Sequence, residues 1–251
     1  MLNWFKRRKD NRVYDLAGPS IPAGFDNFRV FDNRAWLEAS KKYVEGMRAA
    51  KASGTLVPEP YLIAARDLVN ETVTRKGYAS VLDYGGGIGP CIDPLTYQVP
   101  PKTVDYIIVD GARNAVTARS LFPDIGQFTT TIPKDFKTDI LLMSSALQYL
   151  ANWQRGLANA LDCSPQHVVL SRLPVRDGPT IAVRQRINLN EQFEGHVWHW
   201  IFGSDLDELL LARGYSRISQ EPIRDLTDEL LSVDVGPAEL CVRVYGRSMP
   251  G

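Results

Sequence analysis

An apolar strand of this chain runs into a turn of four glycines in the segment Val81-Leu82-Asp83-Tyr84-Gly85-Gly86-Gly87-Ile88-Gly89-Pro90. Glycine tolerates a positive φ and has no Cβ, so backbone N–H groups in such a turn can approach a bound molecule closely. We therefore expect a ligand to lie against this turn. The alternative is a tight strand-to-helix connection with no ligand, which four glycines within five positions disfavour.

Short apolar runs and helical stretches alternate after this strand, which is typical of a doubly wound α/β sheet. Buried parallel strands are predicted at residues 79–84, 104–110, 126–132, 138–145 and 166–172. Crossover helices are predicted between them, near 90–99, 112–122 and 145–161. A helix capped by Ser204 or Asp205 follows, and strands at 215–222 and 238–246 would add an antiparallel end. The pattern as a whole predicts a mostly parallel seven-stranded sheet with helices on both faces.

The N-terminal part has a different pattern, so we divide the chain into a leader with a helical cap at 1–77 and an α/β domain at 78–251. Residues 1–30 are polar and interrupted by Gly and Pro, and we expect them to form an irregular leader that carries no fold. Two helices are predicted in the N-terminal part, at 33–53 with Asp32 as N-cap and at 60–76 before Gly77. In the α/β domain, the least regular stretch is 172–200.

The composition of the 251 residues is that of an ordinary globular protein, with 44% hydrophobic and 23% charged residues. The 29 basic and 29 acidic residues cancel, so no global positive field favours nucleic acid as a partner. Three widely spaced cysteines without metal-ligand spacing predict reduced thiols and no metal site. A cytoplasmic protein is predicted because the sequence has neither a signal peptide nor a membrane span.

The extreme N-terminus combines aromatic and basic residues at Trp4-Phe5-Lys6-Arg7-Arg8-Lys9. Contact with an anionic membrane surface is one interpretation. A solvated tail is favoured, because one short patch yields only marginal membrane binding. Neither a signal peptide nor a membrane span of about 18 apolar residues is expected from the sequence.

The glycine spacing separates two cofactor classes. A dinucleotide fingerprint would place its third glycine at position 90, where this chain has Pro90, which lacks an N–H donor. The observed spacing of Gly85, Gly87 and Gly89 resembles motif I of the class I S-adenosylmethionine-dependent methyltransferases, and the resemblance extends over residues 79–246. It implies a Rossmann-like class I methyltransferase fold with S-adenosylmethionine as cofactor. The order of the segments is similar to that of a bacterial branch of this family, which supplies no substrate.

The resemblance also implies which residues contact the cofactor. Asp83, Gly85 and Gly87 would line the methionine end together with the other two glycines of the turn, Gly86 and Gly89. Asp110, at the end of the second strand, would accept hydrogen bonds from the ribose hydroxyls. Asp110 also fits nicotinamide proteins and could simply cap the next helix.

The remaining cofactor contacts are less regular. The third strand ends without the acid that many relatives place near the adenine, and Asp135 lies a few residues late, so Ile132 is expected to supply an apolar wall only. The segment 139–150 resembles the fourth strand and the following helix of small-molecule methyltransferases, where the loop faces the methyl group. Ser144 and Ser145 are predicted to face the cofactor.

The acceptor side draws on residues from three segments. Gln148 and Tyr149 are predicted to form its wall, with ordinary helix residues as the alternative. Arg172 could bind a carboxylate or phosphate of the substrate, or form a surface salt bridge. Trp198 could close over the substrate with its neighbouring histidines.

His196 and His199 would share one face if their segment were helical. A metal site is not predicted, because the sequence shows no third ligand for it. One of the two histidines is our candidate general base for a hydroxyl acceptor, with Tyr149 as the third catalytic candidate and buried structural histidines as the alternative.

These assignments predict in-line transfer of a methyl group from the sulfonium to an oxygen or nitrogen of a small molecule, sugar-like in our preference. Most of the acceleration would come from positioning the reactants. An NAD(P)-dependent oxidoreductase and a non-catalytic protein that binds the cofactor or a partner are the two alternatives. The oligomeric state is not predicted.

Overall fold

The computed structural model describes residues 14–18, 20–22, 25, 27, 31, 33–189, 193–223 and 238–248. The strands are β1 Tyr14–Gly18, β2 Ala79–Tyr84, β3 Val104–Val109, β4 Gln127–Thr129, β5 Ile140–Ser144, β6 His167–Arg176, β7 Ile181–Leu189, β8 Phe193–Ile201, β9 Tyr215–Pro222 and β10 Ala238–Arg247. The α-helices are α1 Arg34–Ala52, α2 Ile63–Lys76, α3 Ile92–Thr96, α4 Ala112–Leu121, α5 Trp153–Leu161 and α6 Ser204–Ala212. Two 3₁₀ turns lie at Pro60–Leu62 and Leu147–Tyr149.

Seven strands form the central sheet in the order β4-β3-β2-β5-β6-β10-β9. The first five are parallel, and β10 is antiparallel to both β6 and β9. The predicted doubly wound, mostly parallel seven-stranded sheet with an antiparallel end is therefore confirmed. The strand order reverses between β2 and β5, and ligands of open α/β sheets bind at the carboxyl ends of strands at such a point.

Helices cover both faces of this sheet because the parallel strands are apolar on both sides. One core cluster joins the sheet to α1, α2, α3 and α4, and the other joins it to α5 and α6. In the second cluster the buried Trp153 packs edge-on against Phe202, with 5.3 Å between ring centroids. These two layers hold the carboxyl ends of β2, β3 and β5 at one edge.

A second sheet of three antiparallel strands, in the order β1-β7-β8, occupies part of the region that the sequence analysis found least regular. The expectation that residues 1–30 carry no fold is wrong, because β1 pairs with β7 through Tyr14↔Gln185 to Gly18↔Ala182. The segment from Trp4 to Lys9, for which a solvated tail is predicted, lies outside the described residues.

Several predicted boundaries need correction. The N-cap of α1 is Asn33, whose side chain accepts from the N–H of Ala35 at 2.8 Å, and not Asp32. Gly203 occupies the cap position of α6, where Ser204 or Asp205 was expected. The predicted helix at 145–161 is divided into the 3₁₀ turn and α5. The end of α2 at Gly77, with φ of 80°, is confirmed.

Within the described ranges, no helix has the length and apolar character needed to cross a bilayer. The same ranges hold no group of three side chains suited to a metal ion. All three cysteines are buried and none is in a disulfide.

Candidate functional site

The glycine turn lies at the carboxyl end of β2, where the strand order reverses. Gly85, Gly87 and Gly89 have φ values of 76°, 59° and 91°, a region that L side chains rarely adopt. A Cβ at Gly85 would lie 2.5 Å from the Cβ of Ala146, and one at Gly89 would lie 2.9 Å from Ile92. A Cβ at Gly87 would have no atom within 4 Å. The outer glycines are therefore needed for packing, whereas Gly87 borders open space.

Asp83 lies beneath this turn and is fully buried. Its Oδ2 accepts a hydrogen bond from the hydroxyl of Tyr106 at 2.8 Å, but no described residue donates one to Oδ1. A Cβ at Gly86 would come within 2.5 Å of the carboxylate, so this glycine leaves room for the acid. Burial raises the pKa of Asp83 to about 7, the charge of Asp110 adds to the rise, and the Tyr106 hydrogen bond opposes it.

Asp110 follows β3 and is held by three hydrogen bonds. Its Oδ2 accepts from the N–H of Gly87 at 2.7 Å. Its Oδ1 accepts from the N–H of Gly111 at 2.6 Å and from the side chain of Asn114 at 2.8 Å. Gly111, not Asp110, occupies the cap position of α4. The carboxylate is thus fixed beside the glycine turn, and it retains acceptor capacity for a further donor because each oxygen has two lone pairs.

The predicted adenine wall lies next to Asp110. The carbonyl of Thr129, the last residue of β4, accepts from the N–H of Asp110 at 3.0 Å. Ile132, three residues further along, is partly buried and packs against the core cluster that includes α5 and α6. Asp135 is exposed.

The loop after β5 completes the edge of the turn. Ser144 ends β5, and its side chain forms a hydrogen bond with the thiol of Cys91. Ser145 has φ of 53° and donates its N–H to Ser171 at 2.9 Å. Gln148 is buried, and its amide donates to the carbonyl of Arg172 at 3.1 Å. Gln148 therefore ties the loop to β6.

The predicted catalytic histidines lie on β8, so the expectation that they share one face of a helix is wrong. Neighbouring residues of a strand point to opposite faces, and a spacing of three separates two side chains. His196 is exposed, whereas His199 is 3% exposed. Burial lowers the pKa of His199 to about 4, so its imidazole is neutral at pH 7. Trp198, on the face opposite to His199, is partly buried against the core cluster that includes α5 and α6.

Tyr149 connects the loop after β5 with β8. Its ring centroid lies 6.1 Å from that of His199 and 4.8 Å from that of Phe31. Phe31 in turn contacts Trp36 at the start of α1, with 5.1 Å between centroids. The structure thus brings Tyr149 and His199 together and adds aromatic residues from the N-terminal segment that the sequence analysis missed.

Asn27 is a further residue that the sequence analysis missed. It is buried, and its amide nitrogen donates to the carbonyls of Tyr149 at 2.8 Å and Trp198 at 2.6 Å. Its Oδ1 accepts from the N–H of Trp198 at 2.9 Å. A polar residue in an irregular segment carries no local signal for partners more than a hundred positions away, so only the tertiary structure identifies it.

Replacing Asn27 with alanine should lower the free energy of unfolding by about 1–2 kcal/mol, because three partly buried hydrogen bonds are lost. Urea unfolding measures this change, and faster amide exchange at Trp198 would locate it. Asn70→Ala is the matched control, because the Asn70 amide donates only to the exposed Gln98 in the pairs observed. Equal losses in the two variants would contradict the role of Asn27.

Arg172 lies at a β-bulge in β6. Leu173 pairs with Cys241 and Leu170 with Arg243, so Ser171 and Arg172 face a single residue of β10. Bulges redirect side chains and are frequent beside active sites. Arg172 also has φ of 52°, a conformation that costs about 1–3 kcal/mol. Its guanidinium lies over the ring of Tyr61, 5.1 Å from the centroid.

Comparisons with known proteins bear on the fold. No known family and no curated protein matches the chain. Magnesium protoporphyrin IX methyltransferase from Synechocystis PCC 6803, solved with bound S-adenosylmethionine, is similar in structure, with a TM-score of 0.51 at 12% identity over 91% of this chain and 100% of that one.

Two further solved structures give TM-scores just below 0.5. A didemethyltoxoflavin N1-methyltransferase from Burkholderia thailandensis gives a TM-score of 0.49 at 13% identity, over 92% of this chain and 95% of that one. An S-adenosylmethionine-dependent methyltransferase from Clostridium acetobutylicum gives 0.49 at 10%, over 86% and 100%. On the strand order and the Synechocystis comparison, this chain has the Rossmann-like fold of a class I S-adenosylmethionine-dependent methyltransferase.

Proposed function

We propose that the chain is an enzyme that transfers a methyl group from S-adenosylmethionine to an oxygen or nitrogen of a small molecule. The observation that carries this proposal is the site at the end of β2: a glycine turn open at Gly87, flanked by the carboxylates of Asp83 and Asp110. When bound, the cofactor supplies an electrophilic methyl group on a positively charged sulfur.

The side chains present fit this cofactor. The buried Oδ1 of Asp83 lacks a donor among the described residues and would accept a hydrogen bond from the α-ammonium group. Asp110 would accept from the ribose hydroxyls, and Ile132 would contact the adenine. Gly85, Gly86 and Gly89 keep the turn close to β2, while Ser144 and Ser145 border the methionine end. Nicotinamide binding is disfavoured because Pro90 lacks an N–H where a pyrophosphate would need one.

The acceptor would lie on the side of Tyr149 and His199, and Trp198 points to the opposite face of β8. His199 is neutral at pH 7 and can accept a proton, but a base with a pKa of about 4 is weak. This favours a nitrogen acceptor that attacks as a neutral amine over an alcohol. The exposed His196 points to the other face of β8, so it is a candidate base only for an acceptor bound there. Gln148 supports the wall at Tyr149 through β6.

Binding of the product S-adenosylhomocysteine should strengthen as the pH rises through about 7. In the free protein, the raised pKa leaves Asp83 partly protonated near neutrality. The ammonium group of the ligand binds the ionised form of Asp83. Below the pKa of Asp83, binding must therefore release the proton of this carboxyl group. Affinity should therefore rise up to about tenfold per pH unit below pH 7 and then level off. Calorimetry across this range measures it.

Asp83→Asn is the control for this pH dependence, because the amide keeps an acceptor for Tyr106 and cannot titrate. The variant should bind more weakly with a flat pH profile between about pH 6 and 8. An equally steep profile in the variant would show that another group titrates.

Catalysis is tested with S-adenosylmethionine carrying a trideuterated methyl group. The protein is incubated with this cofactor and a bacterial small-molecule fraction, and mass spectrometry looks for products that gain the labelled methyl. Labelled products that require the intact protein support the proposal. Cofactor binding without labelled product from chemically broad fractions would favour a non-catalytic protein instead.

A further inference from the structure

We propose that Arg172, held against the ring of Tyr61, binds the α-carboxylate at the methionyl end of the cofactor. This inference rests on the proposed function. The sequence analysis assigned Arg172 to an acceptor carboxylate or phosphate, and the neighbours of its side chain favour the cofactor instead. The two assignments predict different results in the experiment below.

The strand register places Arg172 on the glycine-turn side of Asp83. Only β5 separates β6 from β2, a distance of about 10 Å or two strand spacings. Asp83 pairs with Leu142 and Leu142 with Val169, so Arg172 lies three positions beyond the row of Asp83, in the direction of the turn. Ser171 and Arg172 form the bulge opposite β10, and the hydroxyl of Ser171 donates to the carbonyl of Tyr61 at 2.5 Å. This bond fixes the 3₁₀ turn that carries Tyr61, whose ring lies under the guanidinium.

Cys91 is a buried thiol on which Asp83 and Arg172 both act. It stands at the N-cap position of α3, directly after the glycine turn. Burial raises the pKa of Cys91, and two charges act on it in opposite directions: Asp83 raises the pKa further and Arg172 lowers it. The same thiol therefore responds to both charged groups, in agreement with the placement of Arg172 by the strand register.

This arrangement matches an amino-acid zwitterion. The α-ammonium and α-carboxylate groups are attached to one carbon, so their binding site needs an acid and a cation a few ångströms apart. Asp83 supplies the acid with an oxygen that lacks a donor among the described residues. Arg172 supplies a planar fork that suits a carboxylate. Tyr43, which donates to the hydroxyl of Tyr61, supports the aromatic platform from α1.

The experiment compares two ligands that differ in the amino-acid end. S-adenosylhomocysteine has it, whereas 5′-methylthioadenosine has the nucleoside part alone. Arg172→Gln should lower the affinity for S-adenosylhomocysteine by about tenfold to 100-fold and leave the affinity for 5′-methylthioadenosine unchanged. Arg172→Lys should be intermediate, because it keeps the charge and loses the fork. Arg155→Gln, at an exposed position of α5, is the matched control and should change neither affinity.

Two results would overturn the inference while leaving the proposed function intact. Unchanged S-adenosylhomocysteine binding in Arg172→Gln would return Arg172 to the acceptor, and equal losses for both ligands would indicate a general distortion. If the wild-type protein binds neither ligand, the proposed function fails and the inference fails with it.

A ligand-side measurement keeps the inference testable if the variants do not fold. Decarboxylated S-adenosylmethionine should bind the wild-type protein more weakly than S-adenosylmethionine by the same tenfold to about 100-fold. Equal affinities would show that no cation of the site recognises the carboxylate.

Discussion

Replacing Gly87 with leucine should abolish binding of S-adenosylhomocysteine while the protein remains folded. The Cβ at this position meets no atom within 4 Å, so the side chain would extend into the space assigned to the cofactor without displacing the core. The left-handed φ of 59° costs about 1–2 kcal/mol with a side chain. Binding should fall by more than about 100-fold in calorimetry.

Gly54→Leu is the control for the Gly87 variant. Gly54 also has a positive φ, of 70°, and open space around its Cβ, but it lies at the end of α1. Both variants should lose similar stability in thermal unfolding, and only Gly87→Leu should lose the ligand. Retained binding in Gly87→Leu would refute the assignment of the glycine turn.

Replacing Asp110 with alanine should lower the affinity for S-adenosylhomocysteine on the order of 100-fold. The variant loses both the hydrogen bonds from the ribose and the hydrogen bond from the N–H of Gly87. Asn114→Ala removes only a group that supports Asp110 and should cost a few-fold. Calorimetric titration measures both variants.

Asp105→Ala is the matched control for Asp110, because it removes an exposed acid from the same strand. It should bind like the wild-type protein. If Asp110→Ala also binds normally, Asp110 serves the turn alone and does not contact the ribose.

The central sheet could be predicted because its strands are buried on both faces and therefore form continuous apolar runs. Residues 106–109 and 140–143, for example, are apolar throughout. The cofactor could be predicted for a different reason. The glycine spacing in residues 85–89 is a local feature, because each glycine permits a close backbone approach at its own position.

The second sheet and the acceptor side could not be predicted in this way. His196 and His199 invited a helical interpretation because a spacing of three has no meaning until the type of element is known. Asn27 bonds to Tyr149 and Trp198, which lie more than a hundred residues further along the chain. Arg172 was noticed in the sequence, but its neighbours, Tyr61 and Cys91, are brought to it only by the packing of α3 and the 3₁₀ turn against the sheet.

The most direct measurement is a calorimetric titration of the wild-type protein with S-adenosylhomocysteine and, in parallel, with NADH. The account predicts saturable one-to-one binding of S-adenosylhomocysteine and none of NADH, because the turn has the spacing for the first ligand and Pro90 obstructs the second. Binding of NADH alone, or of neither ligand, would contradict it.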